Sequence, residues 1–253
     1  MPAVDIPYDD YRSSHQGKGQ DYHDRFAGSS HRALMWRIEQ RILKDVLKAH
    51  FAEPNTVRLL DFACGTGRIL KLLENHVGSA TGVDVAPSML EVAERDLEKS
   101  RLLSTDITTS GDLDGEHFDL ITAFRFFPNA EPALRDQAMA KLVTLLAPGG
   151  LLVFNNHLRE GSLRHRALLA RHRRGALKNM RRLHVMSDQE VAELAERHGL
   201  TMVESRHLGV LPIRKEQKPL RFSGLMLGVE RLAMRSRLTA SWAGLKIHVL
   251  RAA

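Results

Sequence analysis

Residues 57–70 read Val-Arg-Leu-Leu-Asp-Phe-Ala-Cys-Gly-Thr-Gly-Arg-Ile-Leu: a short apolar strand, an acid, a turn with two glycines and the start of an amphipathic helix. Gly65 and Gly67 lack Cβ atoms, so the chain can turn tightly there and present bare amides to a ligand near a helix N-terminus. That arrangement suits a nucleotide-like ligand. The dinucleotide-binding fingerprint has a third glycine three residues after the second, where this chain has Leu70, and Asp61 stands four residues before Gly65. A nicotinamide cofactor is thereby disfavoured.

The rest of the chain alternates strand and helix signals, which predicts a parallel sheet covered on both faces. Leu34, Ile38, Ile42 and Val46 have helical spacing within 31–50, and Pro54 separates that helix from a first strand at 57–62. A second strand is expected at 80–85 and a helix at 88–99, with Ser88 and Glu91 spaced as a capping box. Short strands at 102–105 and 118–124 follow, then a helix at 131–146 stopped by Pro148-Gly149-Gly150 and a fifth strand at 151–156. Residues 158–182 read as a basic helical insertion. Ser187 and Glu190 form a second capping-box pattern before a helix ending near His198, a strand is expected at 200–208, and Trp242–Leu250 alternates like a last strand. Leu225–Leu238 has the spacing of a helix with Arg231, Arg235 and Arg237 on its wet side.

In this order, the acid and glycines of 61–67 and acids at the next two strand ends resemble class I S-adenosylmethionine-dependent methyltransferases of the small-molecule type. The resemblance spans about residues 55–208. It implies a Rossmann-like fold, a mostly parallel seven-stranded sheet with helices on both faces. It also implies S-adenosyl-L-methionine as cofactor, with Asp61, Phe62, Ala63, Gly65 and Gly67 at its methionine and ribose parts. Asp84, 17 residues past Gly67, ends a strand where a carboxylate can accept from two ribose hydroxyls. The resemblance gives Asp106 the adenine amino group and Ile107 the ring, with Val85 and Met89 as further apolar neighbours and Ala123 and Phe124 on the pocket floor. Taken singly, Asp84 and Asp106 could as well cap the helix or turn that follows each strand.

All three tyrosines, Tyr8, Tyr11 and Tyr22, fall in the first 22 residues. The expected organisation is an N-terminal lid over 1–30, with Tyr22 touching the cofactor, and one domain over 31–253 that carries the basic insertion 158–184. The lone Cys64 excludes an internal disulfide, no Cys/His spacing matches a zinc site, and metal ligands are not expected. No apolar run reaches membrane-spanning length, and the N-terminus has no signal core, so a cytoplasmic enzyme is the expectation.

The charge is uneven. Residues 158–184 hold nine Arg or Lys against one acid, Glu160, in a chain of net charge +7. Such a segment suits a phosphate-bearing substrate, an anionic membrane face, nucleic acid, or simply a solvated helical face. It contains no Phe, Tyr or Trp on which unpaired bases would stack, and the Asn-Pro-Pro-Tyr type sequence for exocyclic amines is replaced by Arg125-Phe126-Phe127-Pro128, so a nucleic-acid acceptor is disfavoured. The expected acceptor is a small-molecule or saccharide hydroxyl, with an anionic acceptor suiting the basic segment. His157 is the first candidate for a general base, His31 the second, and Arg125 a candidate for a substrate anion or for pairing with Glu131. An RNA methyltransferase and a noncatalytic cofactor-binding protein are the alternatives.

Overall fold

The computed structural model describes residues 11–13, 17, 19, 20, 30–176, 185–211 and 222–252. Helix α1 (His31–His50) starts at Ser30, whose hydroxyl accepts the Ala33 N–H at 3.2 Å and so satisfies one of the helix's free amides. Its buried stripe, Leu34, Ile38, Ile42 and Val46, follows the helical period read in the sequence. A short turn, Pro54–Thr56, then leads into β1 (Arg58–Phe62).

The alternation continues through α2 (Arg68–Leu73), β2 (Ser79–Asp84), α3 (Pro87–Asp96), β3 (Arg101–Ser104), β4 (Phe118–Ala123), α4 (Pro132–Leu145) and β5 (Leu146–Asn156). After it come α5 (Leu163–Arg173), α6 (Asp188–Arg197), β6 (Leu200–Leu208), α7 (Ser223–Ala233), a four-residue turn of helix and β7 (Leu245–Ala252). The strands lie in the order β3-β2-β1-β4-β5-β7-β6, and only β7 runs against its neighbours. The seven-stranded, mostly parallel sheet expected from the sequence is therefore present.

Neighbouring residues on each strand feed opposite cores, as the two-residue period of a strand requires. Leu60, Ile121, Leu152 and Phe154 meet α4 and α6 on one face, while Leu59, Leu120, Leu151 and Val153 meet α1 and α2 on the other. The chain winds outward from β1 to β3, returns to β4 beside β1, and winds the other way. A crevice opens beyond the carboxyl ends of β1 and β4, where the winding reverses.

Several local expectations need correction. Ser88 does not cap its helix: Ala86 holds the cap position, Pro87 begins the helix, and the Ser88 hydroxyl instead accepts the Gly17 N–H at 2.9 Å. Strand β5 begins at Leu146, not 151, because the chain pairs Phe118 with Leu146 and resumes at Leu120 with Leu151, enclosing Pro148-Gly149-Gly150 in the irregularity. Gly149 has φ +73° there. The basic insertion forms helix only over Leu163–Arg173, and residues 177–184 lie outside the described part. The Ser187–Glu190 capping box is present in both halves. The last strand starts at Leu245, leaving Trp242 in the turn before it.

Candidate active site

The turn after β1 has Ala63, Gly65 and Gly67 at φ +53°, +56° and +70°. For Ala63 this left-handed backbone costs about 1–2 kcal/mol, which the surrounding hydrogen bonds must offset. The Cys64 N–H donates to the Val83 carbonyl at 3.0 Å and the Gly67 N–H to the Cys64 carbonyl at 3.1 Å, tying the turn to β2. A Cβ on Gly67 would lie 2.9 Å from Leu97 Cδ1 and 3.1 Å from Ala93 Cβ, so this glycine also seats the turn against α3. Cys64 is buried, its thiol pushed up by burial and by the nearby acids, as suits a packing residue rather than a nucleophile. The Thr66 hydroxyl is buried and lacks a hydrogen-bond partner among the described residues.

Asp84 ends β2, and both its oxygens accept backbone amides: Gly65 N–H at 2.8 Å on Oδ2 and Ala86 N–H at 2.9 Å on Oδ1. Burial raises its pKa above the ordinary carboxylate value against the pull of those amides. Asp106 follows β3. Burial would raise its pKa too, but the Thr108 hydroxyl and the Arg12 guanidinium outweigh that and hold it below the ordinary value. Arg12 Nη2 donates to Thr108 Oγ1 at 3.0 Å, so a residue of the N-terminal segment is fastened across the ends of the strands.

Asp84 and Asp106, with Arg12 and Thr108, line one cleft of about 470 Å³, open to solvent, on the α4 side of the crevice; Gly65 and Gly67 are not among its lining residues. Of the residues singled out in the sequence, Phe62, Ala63, Asp84, Val85 and Asp106 line it. Met89, Ile107 and Ala123 are fully buried, Ile107 and Ala123 within the core behind the cleft. Phe124 packs in the opposite core with α1, because strand alternation turns it away from Ala123. Tyr22 lies outside the described residues. Six lining residues had not been marked: Arg12, Val83, Thr105, Thr108, Phe126 and Leu134. Thr105 and Thr108 flank Asp106 and bear hydroxyls, which was a readable signal; Arg12 had none. Tyr11 also lines the cleft, its ring edge-on to Phe126 at 5.1 Å and its N–H donated to Glu131 Oε1 at 2.9 Å.

Asp61 is buried beneath the turn. Thr122 Oγ1 donates to it at 2.7 Å, yet burial pushes its pKa up to about 7 despite that bond and the charge of Arg68. Arg68 itself lies over the Trp36 ring, 4.4 Å from its centre.

A second polar group lies at the ends of β4 and β5. Arg125 has φ +64°, and its N–H donates to Asn155 Oδ1 at 2.6 Å while its carbonyl accepts from Asn129 Nδ2 at 2.6 Å. Asn155 is wholly buried, and its Nδ2 donates to the buried Glu39 at 3.0 Å. His157 Nδ1 and His31 Nε2 are shielded from solvent without hydrogen-bond partners among the described residues. Burial, then the charges of Arg125, Arg164 and Arg32, holds the His157 imidazole well below its usual range. Burial and Arg164, Arg125 and Arg32 bring His31 to about 4. No group of three or more His, Cys, Asp or Glu among the described residues is arranged to hold a metal.

The fold is similar to that of magnesium protoporphyrin IX methyltransferase from Synechocystis PCC 6803 with bound S-adenosylhomocysteine, at a TM-score of 0.62 over 96% of this chain and 97% of that one. The two are 12% identical, so the likeness concerns architecture. Among curated sequences, the chain is 34% identical over 85 residues to dTDP-3-amino-3,6-dideoxy-alpha-D-glucopyranose N,N-dimethyltransferase of Streptomyces fradiae, covering 34% of this chain and 27% of that protein. It is 29% identical over 103 residues to ubiquinone biosynthesis O-methyltransferase of Coxiella burnetii, covering 38% of this chain and 42% of the relative. The chain thus matches less than half the length of these curated relatives. A family model described as a methyltransferase domain matches residues 35–205, more than half of the chain, and the protein belongs to that family.

Proposed function

We propose that the protein transfers a methyl group from S-adenosyl-L-methionine to an oxygen of a small molecule, a hydroxyl on a saccharide or similar metabolite. The observation that carries this reading is the pair of carboxylates, Asp84 and Asp106, on one cleft at the ends of adjacent strands. Each Asp84 oxygen holds one backbone amide and keeps a further lone pair, which suits two ribose hydroxyls. Phe62, Val85 and Phe126 give the apolar walls an adenine ring needs, with Asp106 at its polar edge. The unpartnered Thr66 hydroxyl and the protonatable Asp61 suit the carboxylate and ammonium of the methionine end. The residues present therefore fit this cofactor, which supplies an electrophilic methyl group on a sulfonium.

What the chain itself must provide is placement, because aligning acceptor and methyl group supplies most of the rate gain in such a transfer. Arg125 and His157 are the groups we assign to the acceptor. His157 is unprotonated at neutral pH, so its free Nδ1 suits acceptance of a hydrogen bond from a hydroxyl. The same surroundings oppose its keeping a proton, which makes it an orienting group and a weak general base. We take the N-terminal segment 1–30 as a lid, with Tyr11 and Arg12 at the cleft, and 31–253 as the domain. The two relatives named above act, by name, on a nitrogen of a nucleotide sugar and on an oxygen in ubiquinone synthesis, and both support a small-molecule acceptor.

The test is transfer of labelled methyl from S-adenosylmethionine to fractionated metabolites, with mass analysis of the product, beside calorimetry with S-adenosylhomocysteine and with nicotinamide dinucleotides. Binding of the homocysteine compound alone, with labelled product, is the expected result. Binding without transfer to any fraction would make this a noncatalytic cofactor-binding protein. Transfer to RNA with a steep salt dependence would replace the small-molecule acceptor.

A further inference from the structure

Helix α7 is apolar on two opposite faces. Met226 and Leu227 pack on the core, and Glu230 between those positions and Met234 is fully buried, its carboxylate accepting the N–H groups of Val210 and Leu211 at 2.7 and 3.1 Å. Glu230 thereby fixes which side of the helix faces inward. With about 100° between successive residues, Leu225, Val229 and Leu232 fall on the outer side. They are 70%, 44% and 68% exposed, and Phe222, Leu238 and Trp242, before and after the helix in the chain, are exposed as well at 78%, 83% and 50%. A stripe of large apolar side chains this exposed marks a surface made for a second apolar phase.

Arg231 on α7 and Arg235 just after it are exposed, and the sequence on both sides of the helix is basic. Residues 209–244 contain seven Arg or Lys against two acids, one of them the buried Glu230. With residues 158–184, the joint surplus is +13 in a chain of net charge +7, so the remainder of the chain is negative. The two segments touch. The Arg159 guanidinium donates to the Ala240 and Ala243 carbonyls, each at 3.3 Å, the Leu163 N–H to the Trp242 carbonyl at 3.4 Å, and Gly244 lies against Arg164. Both segments follow the carboxyl ends of parallel strands, β5 and β6, which is the edge of the sheet that bears the cleft.

We propose that this apolar and basic surface seats on an anionic lipid bilayer, turning the cleft-bearing edge of the sheet toward the membrane. The chemistry is that of an interfacial helix: leucine, phenylalanine and tryptophan enter the boundary between headgroups and chains, while arginines meet lipid phosphates. A second copy of the chain is disfavoured as occupant, since two such cationic faces repel. Nucleic acid matches the charge but leaves the exposed leucines in water.

The experiment is flotation of the full chain, without cofactor, with vesicles of phosphatidylcholine alone and of equal parts phosphatidylcholine and phosphatidylglycerol. Binding is expected only to the mixed vesicles, weakening as salt is added. The double variant Leu225→Ser/Leu232→Ser alters only outward side chains. It should bind vesicles more than about a hundredfold less tightly, since each buried leucine contributes about tenfold or more. Its affinity for S-adenosylhomocysteine should be unchanged. Lack of binding to the mixed vesicles, equal binding to both kinds, or wild-type flotation of the double variant overturns the proposal. A concentration-dependent dimer that this variant abolishes also overturns it, in favour of a second copy.

Discussion

The side-chain carbonyl of Asn155 accepts the backbone N–H of Arg125 at 2.6 Å and helps hold that arginine in a left-handed backbone, φ +64°. Asn155→Ala leaves both this N–H and the buried Glu39 without that partner, each loss costing about 1–3 kcal/mol. Chemical denaturation should show the loss. Arg125→Gly is the informative contrast, because glycine relieves about 1–2 kcal/mol of backbone strain while removing the guanidinium. We expect Arg125→Gly to match or exceed the wild type in thermal stability and to lose acceptor turnover with little change in cofactor affinity. Wild-type turnover in that variant removes Arg125 from the acceptor site.

Asp84→Asn replaces a carboxylate that ties the Gly65 and Ala86 amides together. Charge-assisted bonds of this kind contribute about 1.5–3 kcal/mol each, and the amide keeps only one good acceptor for them. S-adenosylhomocysteine binding should fall by about a hundredfold or more, because in the proposed site two ribose hydroxyls lose their acceptor as the turn loosens. Calorimetry decides it, and affinity within a few-fold of wild type rejects Asp84 as the ribose ligand.

Asp84 and Asp106 were legible because strand ends and glycine turns leave local patterns, and the seven strands followed from two-residue and helical periods. The cleft wall was less so. Phe124 and Phe126 stand two apart beyond β4, yet one packs with α1 and the other lines the cleft, because the chain leaves the strand geometry at Arg125. No local pattern reports a left-handed arginine held from a neighbouring strand. Arg12 was invisible for the same reason: its partner, Asp106, is 94 residues away. Ser88 misled because its spacing to Glu91 fits a capping box, whereas Pro87 had already set the helix start one residue earlier.

The Arg12–Asp106 pair is partly exposed, at 37% and 22% for the two side chains. An ion pair so placed contributes about 0–1 kcal/mol to stability, so Arg12→Ala should unfold almost like the wild type. We propose that its value lies in holding Tyr11 and Arg12 over the cleft. We expect S-adenosylhomocysteine to leave the variant several-fold faster in stopped-flow displacement, with a near-constant melting temperature. Unchanged dissociation removes the lid role from this segment.

Asp61 provides a pH dependence with a definite sign. Its pKa is raised from 3.8 to about 7 in the folded chain, chiefly by burial. Between those values the unfolded chain has released a proton that the folded chain keeps, so this residue's contribution to stability falls as pH rises through the window and is fully unfavourable above it. Asp61→Asn removes that dependence and can still accept from Thr122. The variant should therefore be more stable than wild type at pH 8, with the difference shrinking toward pH 4. Ligand binding runs the other way. If the ammonium of S-adenosylhomocysteine meets Asp61, it favours the ionised acid, so wild-type affinity should rise about tenfold per pH unit below the pKa and level off above it. Proton release on binding, read by calorimetry in buffers of different ionisation enthalpy, should appear below pH 7 and vanish in Asp61→Asn. A wild-type affinity flat from pH 5 to 8 would falsify the assignment of Asp61 to the ammonium, whatever the variant does to stability.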